Sequence, residues 1–196
     1  MPKILTTLLL TLCLSVGTVW AGDVEDAGAA LVRNDYATAL TKFKIAALKK
    51  DSYAQAQVGN MYNEGLGVVQ DYAEAVHWYK LAAAQGYASA QLNLEVMYNN
   101  GRGVVQDYAE AVRWYKLAAA QGNVNAQYNL ASMYFSGKGA VQDYVRAHMW
   151  SNLASVNSEE NKKNRDIVAK QMTPQQIAQA QKLARECQAR NFKNCD

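Results

Sequence analysis

With 196 residues and a formal charge of +3, the chain is long enough for one extended domain and lies close to neutrality. That balance points to neither nucleic acid nor an anionic membrane surface as a partner. After Pro2 only Pro174 follows, and no Ser/Gly-rich linker interrupts the sequence, so no second domain is visible.

Lys3 precedes an uncharged run from Ile4 to Gly22 that ends in small residues. This reads as a secretory signal peptide over 1–21, with Val19-Trp20-Ala21 placing cleavage after Ala21. A permanent anchor is the rival, but Thr6, Thr7, Thr11, Ser15 and Thr18 dilute a run near the lower limit for a spanning helix. A lipid on Cys13 is set aside because the bulky Leu12 precedes it. Removal of 1–21 takes Lys3 with it and lowers the net charge from +3 to +2. The expected location is therefore periplasmic or secreted, with no stable membrane insertion after cleavage.

Residues 23–33, DVEDAGAALVR, predict a helix closed by Asn34, so 22–34 forms an N-terminal cap. From there a 36-residue step governs the chain. Asp35, Asp71, Asp107 and Asp143 each precede a tyrosine, and Trp78, Trp114 and Trp150 keep the same spacing. Residues 71–106 and 107–142 agree at 25 of 36 positions, 35–70 keeps the frame more loosely, and 143–172 is a degenerate fourth copy. A period of this length marks stacked units that cannot bury their apolar faces alone.

Within 71–106, Asp71 and Glu74 form an acidic variant of the capping box, and 72–85 is rich in good helix formers. Tyr72, Ala75, Val76, Tyr79, Ala82 and Ala83 share one arc that must be buried, with Trp78 on its flank. Gly86 closes this helix, and a second covers about 89–99 with Ala90, Leu94, Met97 and Tyr98 on its buried arc. Gly101-Arg102-Gly103 then breaks the chain before the next aspartate. In the fourth copy 159–171 replaces the second helix. Residues 173–196 form a C-terminal capping helix and tail, opened by Thr173-Pro174-Gln175-Gln176 as cap, first-turn proline and capping-box glutamine. Cys187 and Cys195 are an even pair that suggests a disulfide, with two free thiols as the alternative. A continuous helix would hold them about 12 Å apart, so a bridge requires the helix to end between them, with Asn191 as the natural stop.

The string A-E-A-V-x-W-Y-x-L-A-A-A-Q-G, then A-Q-x-N-L, M-Y and G-x-G-V-V-Q-D-Y, resembles the Sel-1-like repeat family, closely over 71–142 and partially over 35–70 and 143–157. The resemblance implies an all-α fold: a right-handed α/α superhelical solenoid of about four helix-turn-helix repeats with capping helices at both ends, related to tetratricopeptide repeats. It also implies an exported bacterial protein or an adaptor that holds protein complexes together. One subgroup of the family, with cysteine pairs in every repeat, is linked to penicillin binding and β-lactam hydrolysis. This chain lacks those cysteines, and no mature serine opens an S-x-x-K motif.

Signs of chemistry are sparse. His77 and His148 lie two repeats apart with no metal-set partner in sequence, and His77 occupies a place that Arg113 and Met149 take in later copies. The repeated Gly-x-Gly pairs lack the strand and the Gly-Lys-Ser/Thr ending of a phosphate loop. No metal, cofactor or catalytic residue is expected. On the polar arc of the first helices lie Lys44, His77, Lys80, Arg113 and Lys116. If this arc lines a concave face, it forms a mildly basic groove for acidic side chains or a peptide C-terminus; otherwise these are solubilising charges. Glu95 stands where other copies carry Gly59 and Ala131. It either marks a widened groove or, more simply, bends outward to pair with a lysine. Phe135 replaces Asn63 and Asn99 and is a candidate apolar anchor. The expected function is a non-catalytic scaffold for a protein or peptide partner. The alternatives are a hydrolase of cell-wall or β-lactam substrates by family analogy, and a self-associating structural protein.

Overall fold

The computed structural model describes residues 22–156 and 158–195. The expected signal segment, its cleavage point after Ala21 and Cys13 lie outside the described residues. No strand occurs among the described residues, and the all-α class with terminal helices is borne out. The chain divides into two compact units between Tyr87 and Ala88.

The first unit holds α1 over 22–32, α2 (Tyr36–Leu48), α3 (Ser52–Glu64) and α4 (Tyr72–Ala84). Asn34 takes a left-handed conformation after α1, as the sequence predicts. Phe43, Val58 and Met61 are fully buried among Ala27, Ala30, Ala39 and Ala54. The alanines let helix backbones approach while the few large side chains fill the remaining space. In α2 the register place of Trp78, Trp114 and Trp150 is taken by Lys42, which pairs with Asp26 at 2.9 Å and Asp23 at 3.6 Å on α1. The stack thus ends in ion pairs where an interior copy would bury an indole.

The turn between repeats is built from backbone contacts. Asp71 Oδ1 accepts from the amides of Ala73 and Glu74, capping α4. The Asp71 amide itself donates to the Tyr62 carbonyl at 3.0 Å. That amide is the group a capping-box glutamate would have reached, so only the aspartate half of the expected box forms. Gln70 Nε2 donates to the Asn63 carbonyl at 2.6 Å and satisfies an orphan acceptor at the end of α3. Gly67 has φ +68°, and a Cβ there would stand 2.6 Å from the Tyr36 carbonyl oxygen, so the turn requires glycine.

The second unit holds α5 (Ala88–Asn100), α6 (Tyr108–Ala119), α7 (Val124–Ser136), α8 (Tyr144–Ala154), α9 (Glu159–Ala169) and α10 (Pro174–Ala189). Its turns repeat the same bonds: the Asp107 amide donates to the Tyr98 carbonyl and the Asp143 amide to the Tyr134 carbonyl, both at 2.9 Å. Glu110, freed from any capping box, pairs with Arg113 at 3.0 Å. The A-Q motif has a role that the sequence did not disclose. Gln127 is buried and donates to the Ala119 carbonyl at 3.4 Å, while Gln121 Nε2 donates to Gln91 Oε1 at 2.8 Å. The buried Gln91 and Gln127 side chains thus link the end of one helix to the next and satisfy polar groups that would otherwise be unpaired.

The C-terminus follows its expected form. Thr173 and Gln176 make the full reciprocal capping box with Pro174 at the first turn. α10 stops at Ala189, and Asn191, Phe192 and Asn194 turn left-handed. That reversal brings Cys187 and Cys195 to a Cα separation of 5.1 Å, and the disulfide is formed. The reversed tail carries the Phe192 ring to the α6–α7 turn, 3.3 Å from where a Cβ on Gly122 would stand. No helix among the described residues is long and apolar enough to cross a membrane.

Candidate functional site

The polar arc is distributed over both units: Lys44, His77 and Lys80 belong to the first, Arg113 and Lys116 to the second. Two of its lysines are already engaged. Lys44 Nζ donates to the Tyr62 hydroxyl at 2.8 Å and lies 5.0 Å from that ring's centre. Lys116 Nζ is 5.6 Å from the centre of the Tyr134 ring, which Arg146 approaches from 5.8 Å. The spacing of eighteen residues is the same in both pairs. These ammonium groups therefore help join the two helices of a repeat through cation–π attraction. His77 is exposed and meets Trp78 edge to face at 5.6 Å. Lys80 is exposed, as is Arg113, whose guanidinium stands 5.6 Å from the Trp114 ring centre.

Glu95 corrects the simpler expectation. It does not bend outward to a lysine: it is 3% exposed, and Oε2 has no hydrogen-bond partner. Burial pushes its carboxyl up to about 8, because removing the charged form from water disfavours ionisation. As a surface contact it is therefore excluded. Its register explains the burial. The corresponding Gly59 lies so close to Tyr79 that an added Cβ would fall 2.6 Å from the ring.

His148 is a core residue that nothing in its local sequence marks. It occupies the register of Leu40, Val76 and Val112 and is 2% exposed, with Nδ1 unpartnered. Burial is the main cause that lowers its pKa, followed by the charge of Arg165, while Asp166 opposes both. No three of His, Cys, Asp and Glu come together as a metal set among the described residues.

Phe135 is half-buried and inclined to Tyr144 at 5.6 Å between ring centres. It borders a cleft of about 120 Å³ between α7, α8 and α9, together with Tyr128, Ala131, Ser132, Ser151 and Ile167. Of the candidate residues on the second helices, Phe135 alone lines this concavity. The signal that could have found the cleft was present in the period: Phe43, Tyr79 and Tyr115 are followed at the same step by Ser151.

Residues 52–87, 88–123 and 124–155 match the family model of the Sel1 repeat. Among solved structures, the chain is similar to c5321, a protective antigen of uropathogenic Escherichia coli strains displaying an SLR fold. The two are 34% identical with a TM-score of 0.71, over 81% of this chain and 34% of that one. The chain thus spans about a third of the antigen's length. It is also similar to a Sel1 repeat protein from Oxalobacter formigenes, at 25% identity and a TM-score of 0.66, over 84% of this chain and 75% of that one. No curated protein matches it.

Proposed function

Because the chain belongs to the Sel1 repeat family, we propose that it is a non-catalytic scaffold that binds a protein or peptide partner. The observation that carries this reading is where near-identical copies diverge. The differences at His77 against Arg113 and at Asn99 against Phe135 fall on exposed or half-buried side chains that no cap or turn requires. Packed helices present such side chains with little ordering left to do on binding. We place the protein in the bacterial envelope or outside the cell; the uncharged run from Ile4 to Gly22 and the bridged cysteines accord with export to an oxidising compartment. Lys80 and Arg113 are exposed, Arg113 being paired with Glu110, and an acidic segment of the partner would compete for them.

The test is capture from envelope extract by the immobilised chain, followed by affinity measurement with the isolated partner. Reversing Lys80 and Arg113 to glutamate is expected to weaken binding about tenfold while leaving Tm nearly unchanged, as exposed substitutions typically do. Equal affinity in the variant would remove these two cations from the account. Turnover of a chromogenic β-lactam by the purified protein would overturn the non-catalytic reading.

A further inference from the structure

One core position of the array changes character in its last copy. Phe43 on α2, Tyr79 on α4 and Tyr115 on α6 are buried rings spaced 36 residues apart, and Ser151 on α8 is the next in the series, itself only 3% exposed. The first unit shows what surrounds such a ring. Tyr79 packs against Gly59, and its hydroxyl donates to Asn60 Oδ1 at 2.8 Å. The residues in register with Gly59, Asn60 and Tyr79 are Ala131, Ser132 and Ser151. All three line the 120 Å³ cleft. The cleft is therefore the place of the missing ring, with a small residue at its floor and a polar side chain where a phenol hydroxyl points in the first unit. Phe135 and Ile167 add an aromatic and an aliphatic wall. Leaving such a core position unfilled costs stability, which an incoming group of the same shape would restore. At about 120 Å³ the cleft falls short of the roughly 150 Å³ closed cavity that takes a benzene ring, but it is open to solvent, so a ring would enter with part of its edge exposed.

We propose that this cleft receives one tyrosine side chain of a bound peptide, seated as Tyr79 is seated within the first unit. The peptide origin of the ring rests on the protein-binding function proposed above; the ring-shaped site does not. A phenol suits the cleft better than an aliphatic chain, because the fold itself places a flat ring here in three copies and Phe135 offers an aromatic contact.

The test is an amide NMR titration of the mature chain with p-cresol and with N-acetyltyrosinamide, using N-acetylleucinamide as the control. The expected result is saturable shifts at Ala131, Ser132, Ser151 and Val168 with both phenols, at millimolar concentrations normal for so small a ligand, and at least fivefold weaker response to the leucine compound. Ser151→Tyr, which supplies the ring from α8, should abolish these shifts and raise Tm. Should that variant not fold, Ile167→Ala removes a half-exposed wall and should weaken p-cresol binding several-fold. Absence of saturable shifts, shifts centred elsewhere, or shifts that persist in Ser151→Tyr would overturn the site. Binding of p-cresol with exclusion of N-acetyltyrosinamide would overturn its peptide origin. Failure to capture any partner, with both phenols still bound, would count against the scaffold function and leave the ring site standing.

Discussion

Glu95 and His148 are both buried ionisable groups at places where other copies carry small or aliphatic side chains, and their titrations pull in opposite directions. The Glu95 carboxyl rises from 4.5 to about 8 on folding. Folding is then least opposed by this group below pH 4.5, and stability falls as pH rises toward 8, because the unfolded chain ionises while the folded one stays protonated. The loss reaches a few kcal/mol, since each tenfold change in proton affinity is worth about 1.4 kcal/mol. His148 is lowered from 6.5, so its contribution is present above pH 6.5 and is lost as pH falls. Urea unfolding of the wild type should therefore show lower stability at pH 8 than near pH 6, while below pH 6.5 the loss from His148 offsets the gain from Glu95. Glu95→Ala, which installs the residue found at Ala131, should be more stable than wild type at pH 8 and should flatten the alkaline side. An unchanged alkaline slope in that variant would show that Glu95 ionises freely in the folded protein. Neither burial was legible locally. Both side chains lie on amphipathic arcs whose angular position permits burial, and a polar residue in such a place looks like a surface one until its neighbours are known.

Helix boundaries were far more legible, because their determinants are local. Asp51, Asp71, Asp107 and Asp143 cap the helices that follow them, and Thr173 with Gln176 forms the predicted reciprocal box. The half-formed box at Asp71 shows the limit of local inference: a carbonyl 9 residues upstream, on Tyr62, already holds the amide concerned. At the far end, the bridge between Cys187 and Cys195 closes a short loop, worth about 2 kcal/mol through restriction of the unfolded chain. Cys187→Ser is accordingly expected to lower Tm by several degrees and to speed hydrogen exchange in the last turn of α10 and in the tail, with little change in α5. Reduction by dithiothreitol should reproduce the effect. An undiminished Tm in both would mean that Phe192 and the α10 packing hold the tail without help from the covalent link.

For the whole molecule, the bridge also bears on where the chain resides. If export removes 1–21, protein recovered from an envelope fraction should begin at Gly22 and add no mass on alkylation under denaturing conditions, since both remaining cysteines are joined. Two alkylations would place it in a reducing compartment and remove the envelope assignment, whereas an intact Met1 terminus with the cysteines still bridged would favour a permanent anchor over cleavage. The period of 36 residues, read from the chain alone, determined the class of fold, the number and order of most helices and the chemistry of their caps, because each rests on side chains within one turn of the backbone they serve. It also identified the copies that differ. What those differences do was decided only by tertiary packing: Lys44 and Lys116 became partners of tyrosine rings, Glu95 went inside, and Ser151 with Phe135 opened a cleft. The physical reason is one of range. A cap or turn is satisfied by neighbours a few residues away, whereas burial, cavity volume and ring contacts depend on residues far apart in the chain that only the stacked helices bring together.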